Sequence, residues 1–239
     1  EVIAGPGAVA ALRLADRVTG HDSDPDRLAD PRSWPLPAHD LVSRPYAAVL
    51  TAWGCPYRCT YCASHRLQPA FVRREPEAVI EEIAACTRRD IRRFVFYDDA
   101  LLIDAERHLA PILEGVLACQ LPVSFYPVNG LHARGITAEL ALLMRRAGFA
   151  QACVSLETVS PARQQSTGAK VTTADFEAAV KHLKAAGFGP ANVRGYLLAA
   201  LPGQPLAEIE DSLRLVLGLG IQAELTLFSP IPGTPDGDL

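Results

Sequence analysis

Several things are missing from this sequence of 239 residues, and each gap closes a class of function. It has no run of Lys and Arg, and its formal net charge is −4. A grip on nucleic acid through clustered positive charge is therefore disfavoured. No apolar stretch approaches the roughly 18 residues of a membrane span. The opening EVIAGPGAVAALRLADR lacks the basic start, apolar block and cleavage site of a secretory leader. An initiating Met is also absent, so we expect a fragment of a longer chain. The six cysteines do not read as a disulfide framework, which belongs to smaller, loop-rich chains; a reducing cytoplasm fits better. No short-period repeat and no low-complexity tract is present.

What is there, from Tyr46 onward, is an alternation of short apolar runs with amphipathic stretches. Strands are expected at 46–52, 93–98, 122–128, 152–158, 193–199 and 223–229. These runs are apolar on both alternations, as in a parallel sheet covered on two faces. Helices fill the gaps. Pro76 opens one, with Val79, Ile80, Ile83 and Cys86 on one face. Thr137 caps another that stops at Gly148, and Thr172 with Asp175 forms a capping box for a third that ends at Gly187. Pro205 begins a fourth, and a less regular helix at 104–119 should kink or restart at Pro111.

Six strand–helix units give an α/β fold, a partial (β/α)6 TIM-type barrel of parallel strands with reactive residues at the strands' carboxyl ends. Residues 46–239 form this core domain. Residues 21–45, broken by Pro25, Pro31, Pro35 and Pro37, read as a linker. Residues 1–20 read as a strand end, a glycine turn and a helix, the end of a truncated upstream α/β domain.

Half of the cysteines sit in TAWGCPYRCTYCASH, where Cys55, Cys59 and Cys62 are spaced C-x3-C-x2-C. The other three, Cys86, Cys119 and Cys153, read as small core side chains. Three chemistries suit the cluster. Cys59 and Cys62 could be a redox pair, which leaves Cys55 without a role. His65 could complete a four-ligand zinc site, making the chain a zinc-stabilised binding or scaffold module. Three thiolates could instead hold an iron–sulfur cluster, leaving one iron for a ligand that is not protein.

The motif C-x3-C-x-aromatic-C after the first strand of a parallel barrel resembles the radical S-adenosylmethionine (SAM) superfamily, over roughly residues 46–235. Further elements resemble the members that often carry an upstream cobalamin-binding domain: Tyr97-Asp98-Asp99, Ser155-Leu156-Glu157-Thr158, Leu201-Pro202-Gly203 and Pro230-Ile231-Pro232-Gly233-Thr234. The resemblance implies that Cys55, Cys59 and Cys62 ligate a [4Fe–4S] cluster whose fourth iron chelates SAM. It implies reductive cleavage of SAM to a 5′-deoxyadenosyl radical that attacks a substrate this sequence does not name. An electron donor such as a flavodoxin or ferredoxin is then a partner.

For the cofactor, the resemblance points to Asp98 or Asp99 as ammonium acceptor, Glu157 as a SAM contact, Lys170 near its carboxylate and Tyr61 against adenine. Asn129 and His132, at the end of the third strand, should face cofactor or substrate. His132 is the one candidate for direct catalysis, against the plainer reading of a hydrogen-bonded structural histidine. No D-x-H-x-x-G is present, so cobalamin could come only through a region outside this chain. Methyl transfer is favoured if such a region exists; methylthiolation of RNA fits the acidic charge less well. A non-catalytic electron carrier would need neither Glu157 nor a barrel.

Overall fold

The computed structural model describes residues 7–24, 32, 36–41 and 44–238. Its elements begin with helix α1 (Gly7–Thr19), strand β1 (Tyr46–Val49), the two-residue β2 (Ala52–Trp53), the one-turn α2 (Ser64–Leu67) and β3 (Val72–Arg73). Strand and helix then alternate: α3 (Pro76–Thr87), β4 (Arg93–Phe96), α4 (Leu109–Ala118), β5 (Ser124–Pro127), the short β6 (Leu131–His132) and α5 (Ala138–Arg146). The last third holds β7 (Ala152–Glu157), α6 (Pro161–Ser166), α7 (Thr173–Ala185), β8 (Val193–Ala199), α8 (Leu206–Gly218) and β9 (Gln222–Leu227). The strand end expected before α1, and residues 25–31, 33–35, 42 and 43 of the expected linker, lie outside the described residues.

β1, β4 and β5 form one parallel sheet, and β6, β7, β8 and β9 form another, each in chain order. A parallel bridge from Phe125 to Phe149 joins them: Phe125 N–H donates to the Gly148 carbonyl (2.9 Å) and Ala150 N–H to that of Phe125 (3.0 Å). Strand order thus follows the chain across the seam, as the six expected units require. Over the seam the buried rings of Phe96, Phe125 and Phe149 pack with centroids 5.0–5.8 Å apart, within the range for favourable aromatic contact. Val79, Ile83, Leu109 and Ile112 of α3 and α4 close the core from outside.

The helix signals act as expected. Thr137 accepts from Leu140 N–H at 3.1 Å, and Thr172 and Asp175 form a reciprocal capping box. The helix expected at 104–119 starts only at Leu109, with turns before it. Pro111 falls in its first turn, where no intrahelical donor is lost. α6 was not expected; Ser160 and Pro161 start it, Ser160 accepting from Arg163 N–H.

The first expected strand breaks after Val49. Asp98 Oδ1 accepts from Thr51 N–H (2.9 Å), Thr51 Oγ1–H (2.6 Å) and Ala52 N–H (2.7 Å). With those amides taken, the chain leaves the ladder, and β2 pairs antiparallel with β3 instead. Cys86 and Cys153 are buried as expected, but Cys119 is exposed, because it ends α4 rather than facing the core.

Candidate active site

Reactive groups gather where a parallel barrel should hold them, at the carboxyl ends of the strands. The loop from Gly54 to Phe71 leaves β2 and returns on β3, so the antiparallel pair closes its base. Gly54 starts it at φ +81°, and a Cβ there would lie 2.6 Å from the Ala70 carbonyl, so only glycine fits. Cys55, Cys59 and Cys62 of this loop line a cavity of about 310 Å³. Its other walls come from the ends of β5–β6, β7 and β8.

Most of the candidates meet there. Tyr61, Asp99, Asn129, His132, Glu157 and Lys170 all line this cavity with the three cysteines. Asp98 does not: it is buried between β1 and β4, holding the turn after β1, with its second oxygen unpartnered. Asn129 spends its amide donor on the carbonyls of Tyr97 (3.0 Å) and Asp98 (3.1 Å), which fixes the end of β4. His65, the fourth ligand of the zinc reading, is not among the lining residues. Among the described residues, no three or more His, Cys, Asp or Glu side chains converge as ligands of one ion.

The polar floor of the cavity is built by β7. A bulge between Ser155 and Glu157 re-aims the strand end, and Glu157 sits at φ +66°, a conformation that costs a non-glycine residue roughly 1 kcal/mol or more. Its Oε1 accepts from Lys170 Nζ, while Oε2 is buried without a partner. Lys170 lies 5.7 Å above the Tyr61 ring centroid. Burial alone would lower the Lys170 pKa, but the charges of Glu157 and Cys59 outweigh it, so it is raised and the ammonium persists. Burial raises the thiol pKa of Cys59, opposed by Lys170, and burial also raises that of Cys55.

His132 is buried, with Nδ1 unpartnered and its ring 4.8 Å from that of Tyr57. Burial, with Lys170 adding to it, pushes its pKa down to about 3, so the imidazole is neutral near pH 7. Tyr196 and Leu198 also line the cavity and were not singled out from the sequence, whereas Ser155 came with the Ser155-Leu156-Glu157-Thr158 element. The period of two along β8 could have found them, since Tyr196 shares a face with Leu198.

Just outside the cavity, β7, α6 and α8 are locked together. Glu208 Oε1 accepts from Thr158 Oγ1–H (2.6 Å), Arg163 Nε–H (2.8 Å) and Gln204 Nε2–H (3.1 Å). Arg163 also donates to the carbonyls of Pro202 and Gly203, each at 3.1 Å, which fixes the Leu201-Pro202-Gly203 turn.

The thiol loop thus stands at the carboxyl ends of the parallel strands, facing a buried Glu–Lys pair. The family model of the radical SAM superfamily matches residues 50–216. The chain therefore belongs to the radical SAM superfamily, a superfamily of enzymes. It is 24% identical over 211 residues to the uncharacterized methyltransferase PH0819 of Pyrococcus horikoshii, covering 84% of this chain and 45% of that protein. It is also 24% identical over 230 residues to the tRNA-2-methylthio-N(6)-dimethylallyladenosine synthase of Alkalilimnicola ehrlichii, covering 90% and 48% respectively. The chain thus spans about half the length of these relatives. The radical SAM methyltransferase TsrM of Kitasatospora setae, solved with cobalamin and a [4Fe–4S] cluster, superposes with a TM-score of 0.72 at 19% identity. That match covers 80% of this chain and 38% of the other, and it shows a shared fold. Among the described residues, no helix is long and apolar enough to cross a membrane.

Proposed function

We propose that this chain is the core of a cytoplasmic radical SAM enzyme, with Cys55, Cys59 and Cys62 ligating a [4Fe–4S] cluster and SAM bound in the adjoining cavity. The observation that carries the reading is the joint lining of one cavity by three thiols, the Glu157–Lys170 pair and a carboxylate oxygen, Glu157 Oε2, buried without a partner. The donor set fits the cofactors: three thiolates for three irons, a cation for a carboxylate, and an acceptor for an ammonium or hydroxyl. When bound, the cluster and SAM supply reductive cleavage to a 5′-deoxyadenosyl radical. The chain's own part is positioning. Lys170 offers its ammonium to the amino-acid carboxylate, Glu157 and Asp99 offer acceptors, Tyr61 offers a ring face, and neutral His132 can donate or accept a hydrogen bond without adding charge. An electron carrier such as a flavodoxin or ferredoxin is the partner in this reading.

Methyl transfer is the reaction we favour. One relative is named a methyltransferase, and TsrM shares the fold. Residues 1–20 would then end an upstream α/β domain that could supply cobalamin, and residues 21–45 would link it to the core at 46–239. Anaerobic reconstitution tests the reading. The wild type should turn brown and convert SAM to 5′-deoxyadenosine under reduction, and replacing any one of the three cysteines should abolish both. A colourless protein holding one zinc and no iron would overturn it in favour of the zinc-stabilised module.

A further inference from the structure

Thr60 stands between Cys59 and Cys62, and segments far away in the chain hold all its polar groups. Its N–H donates to the Thr167 carbonyl (3.3 Å), and its carbonyl accepts from Asp236 N–H (3.2 Å). Its hydroxyl donates to Asp236 Oδ2 at 2.6 Å. The segment that carries Asp236 is itself closed. Thr234 is fully buried and its Oγ1–H donates to the Ile231 carbonyl (2.7 Å), Gly237 N–H donates to the Thr234 carbonyl (3.0 Å), and Gly233 N–H donates to Asp238 Oδ1 (2.7 Å). This turn also abuts α2, because a Cβ at Gly233 would lie 2.8 Å from Arg66 Nη1. On the other side, Gly168 approaches Cys59 so closely that a Cβ there would lie 3.2 Å from the Cys59 Cα.

We propose that Asp236 is a positioning residue for the iron–sulfur site: through Thr60 it latches the thiol loop in the shape that accepts and retains the cluster. This rests on the reading of the three cysteines as cluster ligands, and adds that the residues after β9 set their loop. A free loop would have to be ordered as iron enters, and that ordering opposes binding. A loop already held has much of that cost removed. The Thr60–Asp236 bond ends on a carboxylate, the stronger kind of hydrogen bond.

The test uses full-length protein, reconstituted anaerobically, as wild type, Thr60→Val, Thr60→Ser and Asp236→Ala. Two quantities are read: the rate at which a chelator strips iron, and amide hydrogen exchange over residues 57–62 before reconstitution. Thr60→Val keeps the side-chain shape without the hydroxyl, and should lose iron about tenfold faster with raised exchange in the loop. Asp236→Ala should do the same, and the double variant should be no worse than either single one. Thr60→Ser should behave as wild type. Wild-type iron retention and exchange in Thr60→Val would overturn the proposal, even if Asp236→Ala failed to fold. A wild type that takes up no iron would instead overturn the cluster reading, while the exchange measurement would still decide whether the latch exists.

Discussion

The two sides of the β7 end make opposite use of polar groups. Glu157 faces the cavity, where its Oε2 and the Nδ1 of His132 are buried without partners. Its neighbour Thr158 reaches the other side, where Glu208 accepts three hydrogen bonds and Arg163 donates three. Buried polar groups are nearly always paired, so the closed side reads as architecture and the open side as capacity for a ligand. An unpaired atom alone does not mark a site: Asp98 Oδ2 is equally bare, yet it lies outside the cavity. The three thiols beside Glu157 make the difference.

The largest effect should come from the closed side. Glu208→Ala leaves the Arg163 guanidinium, mostly buried, without its carboxylate, and should destabilise the fold by roughly 3 kcal/mol in denaturant titration. Retention of wild-type stability would show that the network is not structural. Next comes Glu157→Gln, which keeps shape and an acceptor but removes the charge. SAM affinity should fall by roughly 10- to 100-fold, with a smaller loss of stability than in Glu208→Ala because the amide oxygen still accepts from Lys170. The reverse pattern, a large loss of stability with affinity unchanged, would erase the contrast between the two sides.

Asp98 gives a pH test. Burial raises its pKa to about 6, although its three hydrogen bonds oppose the shift. A carboxyl with a raised folded pKa contributes stability that is fully present below its unfolded pKa of about 3.9 and lost as pH rises through the folded value. Asp98→Asn should flatten the part of the stability profile between about pH 4 and 6 by roughly 1–3 kcal/mol. An unchanged profile would mean that Asp98 titrates normally. His132 carries the opposite sign. Its pKa is depressed to about 3, so its contribution is present above about pH 6.5 and lost as the unfolded chain takes up a proton below that. His132→Phe keeps a ring against Tyr57 and should change stability at pH 7 by less than about 1 kcal/mol. It should remove the acid-side loss.

Much of the frame was legible because its signals are local. Thr137, Thr172 with Asp175, and the six apolar runs need only their neighbours in sequence to declare helices and strands. The cysteine motif is local as well. What escaped depends on distant partners. Asp98 and Asp99 are adjacent and alike in sequence, but only the capture of Thr51 and Ala52 decides which one turns away from the cavity. The tilted contact of Tyr57 with His132, the Arg163–Glu208 pair and the hold of Asp236 on Thr60 each join residues from 45 to 176 positions apart, and no periodicity encodes such pairs.

The hold on Thr60 also bears on the order of events during synthesis. Each parallel strand pairs only with strands next to it in chain order, so the sheet can grow from its amino-terminal side as the chain emerges. The thiol loop belongs to the first part made, yet it is fastened by Thr167 and then by Asp236, which come much later. Its shape is therefore finished only after the residues that follow β9 have been made.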